Sequence, residues 1–247
     1  MKCLILAAGY ATRLYPLTEN FPKPLLEVKG KTILDWLLGD IERLNVINEY
    51  IVVSNHKFID HFNKWKKENK LKDKITIIDD GTISNETRLG AVFDIKLAIE
   101  KLNIDEELLV MAGDNLLDFS LCEFIKYYET KKETCIMRYY EENLDKIKKS
   151  ASVKIDDNDL VLEMIEKPVN PNSHWCTPAF YIYSKDVVKE VGKALKDGCQ
   201  SDAPGSFISY IYKKKKVYAM EMPGHRYDIG TLDSYNYICN IYEGVNE

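Results

Sequence analysis

The chain has no apolar run approaching the roughly 20 residues that a membrane-spanning helix needs, and Lys2 precedes a run too short for a signal peptide. It is poor in metal-ligand patterns. Its four histidines (His56, His61, His174, His225) show no ligand spacing and read as surface or packing residues. Its six cysteines (Cys3, Cys122, Cys135, Cys176, Cys199, Cys239) include no C-x-x-C pair. Several lie in apolar runs, so reduced thiols are expected rather than disulfides or zinc sites, and with them a cytoplasmic protein. There is no excess of positive charge: 34 Lys and Arg stand against 39 Asp and Glu, a net charge of −5, which gives no case for nucleic acid. The basic run 213–216 follows the apolar stretch FISYIY and reads as a solvated helix end. No low-complexity tract, internal repeat, Ser-His-Asp set or Cys-His set is present. Nor is there a G-x-G-x-x-G: the first loop reads GYATRL, and Ser54-Asn55 stands where an acidic residue would close the second strand, which argues against a dinucleotide-binding oxidoreductase.

What remains is an ordinary globular composition, 45% hydrophobic and 30% charged, over 247 residues. That length fits one sizeable α/β domain. Apolar periodicity predicts strands at 3–8, 50–54, 75–79 and 107–112, alternating with helices at 33–44, 59–69 and 88–102, with Thr32 as a helix cap. Alternation of this kind builds a Rossmann-like, doubly wound, mostly parallel sheet. Such sheets bind ligands beyond the carboxyl ends of their strands. Both Ala8-Gly9 and Asp114 fall there. Beyond about residue 130 the pattern turns β-rich, with strands expected at 135–139, 151–155, 160–165, 179–183 and 217–221.

The small residues Ala7-Ala8-Gly9 after the first strand would let backbone N–H groups approach an anion, and Arg13 and Lys23 nearby would neutralise it. Lys23 is held between Pro22 and Pro24. Asp114, at the end of the strand LLVMAG, has the placement of a Mg²⁺ ligand.

Taken together, LAAGYATRLYPLT and FPKPLLEV resemble the opening of the sugar-phosphate nucleotidyltransferases of the glucose-1-phosphate thymidylyltransferase type, written L-A-A-G-x-G-T-R-L-x-P-L-T and P-K-P-L-L; Ala11 replaces the second glycine. Gly113-Asp114-Asn115 matches that family's G-D-N, RYDIGT around Asp228 its W-x-D-x-G-T, and Glu166-Lys167-Pro168 with Pro171 its E-K-P-x-x-P. The resemblance implies one domain over 1–247, with a nucleotide-binding half at about 1–130 and an acceptor-binding half at about 131–247. Leu6, Ala7, Ala8, Gly9, Asn85, Gly90 and Asp114 would bind the nucleotide. Arg13 and Lys23 would act on the reacting phosphates, Asp114 and Asp228 would hold Mg²⁺, and Glu166, Lys167 and Thr177 would meet the acceptor. Asn85 stands where the thymidylyl and uridylyl enzymes usually carry Gln, a pointer to a pyrimidine base.

The departures cluster on the acceptor side: Ser150-Ala151 for Tyr-Gly, Thr177-Pro178 for Thr-Gly, and 202–207 for an acidic G-E-x-E-x-x-D segment. The expected substrates are therefore an NTP and either a sugar 1-phosphate or, as the alternative, a polyol or other non-hexose phosphate taken by a cytidylyltransferase. The expected product is a nucleotide sugar or polyol for surface polysaccharide. A non-catalytic regulatory member of the fold is the reading from another class, and the presence of every charged residue above counts against it. No extension follows residue 247, which argues against the fused or allosteric longer relatives. The tyrosines at 235, 237 and 242 would pack in the core or line a homo-oligomer contact.

Overall fold

The computed structural model describes residues 1–245. In chain order the strands are β1 (Lys2–Leu6), β2 (Glu27–Val28), β3 (Lys31–Thr32), β4 (Glu49–Ser54), β5 (Ile75–Asp79), β6 (Leu108–Ala112) and β7 (Asn115–Leu117). They continue as β8 (Thr134–Tyr140), β9 (Ala151–Ile155), β10 (Val161–Glu166), β11 (Trp175–Thr177), β12 (Phe180–Tyr183), β13 (Val217–Glu221) and β14 (Arg226–Asp228). The strands and the helices between them divide into two compact units, and the division interleaves along the sequence. The first unit takes Met1–Arg88, Ala112–Cys122 and Pro223–Glu247; the second takes Leu89–Met111 and Glu123–Met222.

In the first unit β1 pairs in parallel with β4, and β4 with β5. The sequences of β1 and β4, KCLIL and EYIVVS, lack the alternation of a half-solvated strand, and their residues are buried on both faces, as parallel strands under helices require. The helix Ile33–Ile41 begins at Thr32, whose side chain accepts from the Asp35 N–H, as its position in the sequence predicts. It ends earlier than the expected residue 44, because the chain tightens into a 3₁₀ turn at Glu42–Leu44 that closes with Asn45 in the left-handed region. Asp40 on this helix accepts from Ser120 Oγ at 2.8 Å and from the Leu121 N–H at 2.7 Å. Those bonds anchor the chain just beyond β7. The β7 strand in turn pairs antiparallel with β14.

In the second unit the strands run β10-β9-β11-β8-β12-β6 through antiparallel pairs, and β13 joins β8 in parallel. This is the β-rich part anticipated beyond residue 130. The helix Ala91–Leu102 starts three residues later than expected, since Gly90 sits at φ 96° and cannot be a helical residue. A side chain there would also place its Cβ 2.6 Å from the Ser201 carbonyl oxygen. All six cysteines are free thiols, and no helix among the described residues is long and apolar enough to cross a membrane.

Candidate active site

The first loop leaves β1 under tight backbone control. Ala7 N–H donates to the Val53 carbonyl at 2.9 Å, and the Ala8 carbonyl accepts from Asn55 Nδ2 at 3.0 Å. A Cβ on Gly9 would meet nothing within 4 Å, so the chain's own packing does not demand glycine there. What glycine provides is open space over the loop. Ala11 adopts φ 47° and ψ 41°, a left-handed conformation that costs an L-residue roughly 1 kcal/mol. Its carbonyl accepts from the Leu14 N–H and from Thr18 Oγ1 at 2.8 Å, which closes the turn carrying Arg13.

Lys23 opens a 3₁₀ turn after Pro22, and its side chain is only 7% exposed. A buried ammonium must find anions. It donates to Asp114 Oδ2 at 2.7 Å and lies 3.9 Å from Asp228 Oδ1. Asp114 reaches this point because Gly113 lets the strand end press against β1: a Cβ at Gly113 would stand 2.9 Å from Ile5 Cγ2 and 3.2 Å from Leu34 Cδ2. Asp228 arrives by the β7–β14 ladder, which sets it directly opposite Asn115. Burial works to raise the Asp114 carboxyl, but the Lys23 ammonium, with Arg226 behind it, more than offsets that and holds it below the ordinary range.

Lys23 and Asp114 line a pocket of about 130 Å³ together with Leu6, Ala7, Gly9, Arg13 and Gly230, whereas Asp228 is not among its lining residues. Arg13 Nη2 lies 4.0 Å from where a Cβ on Gly230 would stand. Two carboxylates that share one ammonium offer the hard oxygen donors a divalent cation such as Mg²⁺ prefers, so the residues present fit that ion. Among the described residues no cluster of three or more His, Cys, Asp or Glu forms a metal cage.

Not every candidate residue lines this pocket. Asn85 opens a short turn capped by Ser84, and its Oδ1 accepts from Arg88 at 3.4 Å. Gly90, Glu166, Lys167 and Thr177 belong to the second unit. There the register places Glu166, Ala151 and Thr177 in one row across β10, β9 and β11, with side chains on a common face. Burial raises the Glu166 carboxyl, against the pull of Lys167. A Cβ on Gly205 would collide with Glu166 Oε2, so that glycine makes room for the carboxylate. Lys167, at φ 48°, reaches Asp202 Oδ2 at 3.4 Å. The Thr177 hydroxyl is buried and finds no partner among the described residues.

Two participants have no place among the sequence candidates. Asn115 Nδ2 donates to Asp114 Oδ1 at 2.8 Å, and Arg226 Nη1 donates to Asn115 Oδ1 at 2.6 Å. Arg226 stands at the Trp position of the W-x-D-x-G-T pattern, and that departure was the available signal. The histidines take the surface and packing roles expected of them: His56 pairs with Asp79, His225 with Asp118, and His174 stacks on Tyr140.

A family model described as nucleotidyl transferase matches residues 2–243. The bifunctional protein GlmU of Methanocaldococcus jannaschii is 28% identical over 93% of this chain and 51% of its own length. The glucose-1-phosphate adenylyltransferase of Fervidobacterium nodosum is 28% identical over 94% of this chain and 59% of its own length. The chain thus spans about half the length of these curated relatives. A crystal structure of UDP-glucose pyrophosphorylase complexed with UDP-glucose superposes with a TM-score of 0.81, at 20% identity, over 98% of this chain and 97% of that one, which shows a shared fold. The family match runs through every segment that contributes to the pocket, and the chain belongs to the nucleotidyl transferase family.

Proposed function

We propose that this chain transfers a nucleotidyl group from an NTP to a phosphorylated acceptor and releases pyrophosphate. The observation that carries this reading is the gathering of Arg13, Lys23 and Asp114 with the open backbone of Gly9 around one pocket. A phosphate oxygen of the acceptor attacks the α-phosphorus, and the bond from that phosphorus to the bridging oxygen of the leaving pyrophosphate breaks. The nucleophile is already anionic at neutral pH, so no general base is needed. The task is to bring anions together and to stabilise charge on the leaving group. Arg13 and Lys23 supply fixed positive charge to the triphosphate. Asp114 and Asp228 would hold Mg²⁺, which when bound neutralises phosphate charge and fixes phosphate geometry. Lys167 would meet the acceptor phosphate, while Glu166 and the unpartnered Thr177 hydroxyl would meet its hydroxyl groups.

Asn85 favours a pyrimidine nucleotide, and the UDP-glucose bound by the superposable pyrophosphorylase supports the same choice. The acceptor is a sugar 1-phosphate or a smaller polyol phosphate. The second option is favoured by Pro178, which offers no backbone N–H beside Thr177. We place the reaction in the cytoplasm, in line with six free thiols, and its product in surface polysaccharide assembly. Pyrophosphate release with Mg²⁺, scanned over CTP, UTP, dTTP, ATP and GTP against hexose 1-phosphates and polyol phosphates, tests the reading. Release with a pyrimidine NTP and one acceptor class is the expected result. A folded protein that binds an NTP yet stays silent across the grid would favour a regulatory role.

A further inference from the structure

We propose that Arg226 is a positioning residue that locks Asp114 and Asp228 into a single ion-binding pair, acting on Asp114 through Asn115. The proposal rests on the reading of these aspartates as the divalent-ion pair.

A guanidinium has donors and no acceptor, so the Asn115 oxygen must face it. Arg226 Nη1 donates to that oxygen at 2.6 Å. The amide is planar, and its Nδ2 is thereby turned toward Asp114, where it donates to Oδ1 at 2.8 Å. Asn115 is 4% exposed, and a buried amide oxygen left without a donor costs roughly 1 to 3 kcal/mol. The Asn115 orientation is therefore dictated by Arg226, and the orientation of Asp114 by Asn115. Asn115 on Oδ1 and Lys23 on Oδ2 together fix the carboxylate plane of Asp114, and Arg226 enters through Asn115.

The same Arg226 Nη1 lies 3.9 Å from Asp228 Oδ2. Asp228 is the looser of the two carboxylates: it stands 3.9 Å from Lys23 and 3.9 Å from Arg226, whereas Asp114 has contacts of 2.7 and 2.8 Å. The result is a closed ring of five side chains, Lys23, Asp114, Asn115, Arg226 and Asp228. It alternates two cations with two carboxylates that would otherwise repel. The β7–β14 ladder supports it by placing Arg226 opposite Leu117 and Asp228 opposite Asn115.

Mn²⁺ binding to the nucleotide-free protein, read by water-proton relaxation, tests this, with near-UV circular dichroism reporting the fold. Loss of a partner that orients a metal ligand typically weakens affinity 10- to 100-fold, and Arg226→Gln is expected to do so. Arg226→Lys keeps the charge but not the forked geometry and is expected to weaken binding by about threefold or more; it carries the test if the Gln variant unfolds. A mere positive charge beside the site acts with the opposite sign, because its removal would tighten Mn²⁺ binding. Both variants folded and binding Mn²⁺ as tightly as the native protein, or more tightly, would overturn the proposal. Asp228→Asn separates the two layers: if it binds Mn²⁺ like the native protein, the ion pair itself is wrong and the role of Arg226 falls with it.

Discussion

At the scale of single residues, the site is held by close approaches and by charge. Lys23 is enclosed by carboxylates that are themselves half-exposed, with side-chain exposures of 39% for Asp114 and 53% for Asp228. Those aspartates can recover hydration when the lysine is removed. Lys23→Met is therefore expected to stay folded, with a thermal midpoint within a few degrees of native, and to lose at least about a thousandfold in turnover. Thermal melts and steady-state pyrophosphate release check the two halves of that statement. Ala11 carries left-handed strain without glycine's freedom. Ala11→Gly should keep or raise stability, whereas Ala11→Val, with a β-branched side chain at φ 47°, should lower it by roughly 2 kcal/mol in urea melts. Gly205 is a packing requirement of a different kind. Gly205→Ala pushes on the Glu166 carboxylate, and it should raise KM for the acceptor while leaving KM for the NTP unchanged. An unchanged acceptor KM would separate Glu166 from acceptor binding.

At the scale of elements, the two aspartates come to the same lysine because short strands more than 100 residues apart in sequence, β7 and β14, pair and set Asp228 opposite Asn115, the neighbour of Asp114. Neither strand has a hydrophobic pattern that could be read along the chain, since each is three residues long. One ion pair and one hydrogen bond between side chains tie the parallel strands. Lys2 on β1 reaches Glu49 on β4 at 2.8 Å, and Thr76 on β5 donates to the same carboxylate. Burial works to raise the Glu49 carboxyl, but the bonds from Lys2 and Thr76 outweigh it and hold it below the ordinary value of 4.5. A carboxyl lowered on folding stabilises the fold above its unfolded value, and that gain is lost as the pH falls through the folded one. Glu49→Gln should cost about 1 kcal/mol at pH 7, and the gap from native should close in urea melts below about pH 4.5. A gap that persists into the acid range would mean that packing, not charge, ties these strands.

At the scale of the whole molecule, the chain leaves the first unit at Leu89, returns for 112–122, leaves again, and comes back at Pro223. Asp228 therefore belongs with the first loop, not with the second unit. The alternating strands and helices, Arg13, Lys23 and Asp114 were legible because each follows a strong local signal: an apolar run, a proline-flanked lysine, a carboxylate at a strand end. Asp228 was legible only through its family motif. Of the link from Arg226 through Asn115 the sequence showed only the departure from Trp in the motif, because a hydrogen-bond relay between strands leaves no spacing in the sequence. Strand register sets Glu166 and Thr177 in one row with Ala151, and the unpartnered Thr177 hydroxyl there is something no sequence pattern announces.

Attack at the α-phosphorus fixes the fate of each phosphate of the NTP. Native protein would be supplied with an active NTP and acceptor, with the label in the α- or the γ-position. The α-label is expected in the acceptor product and the γ-label in pyrophosphate. Appearance of γ-label in orthophosphate or on the acceptor would contradict it, since either result would place the reaction at the terminal phosphorus.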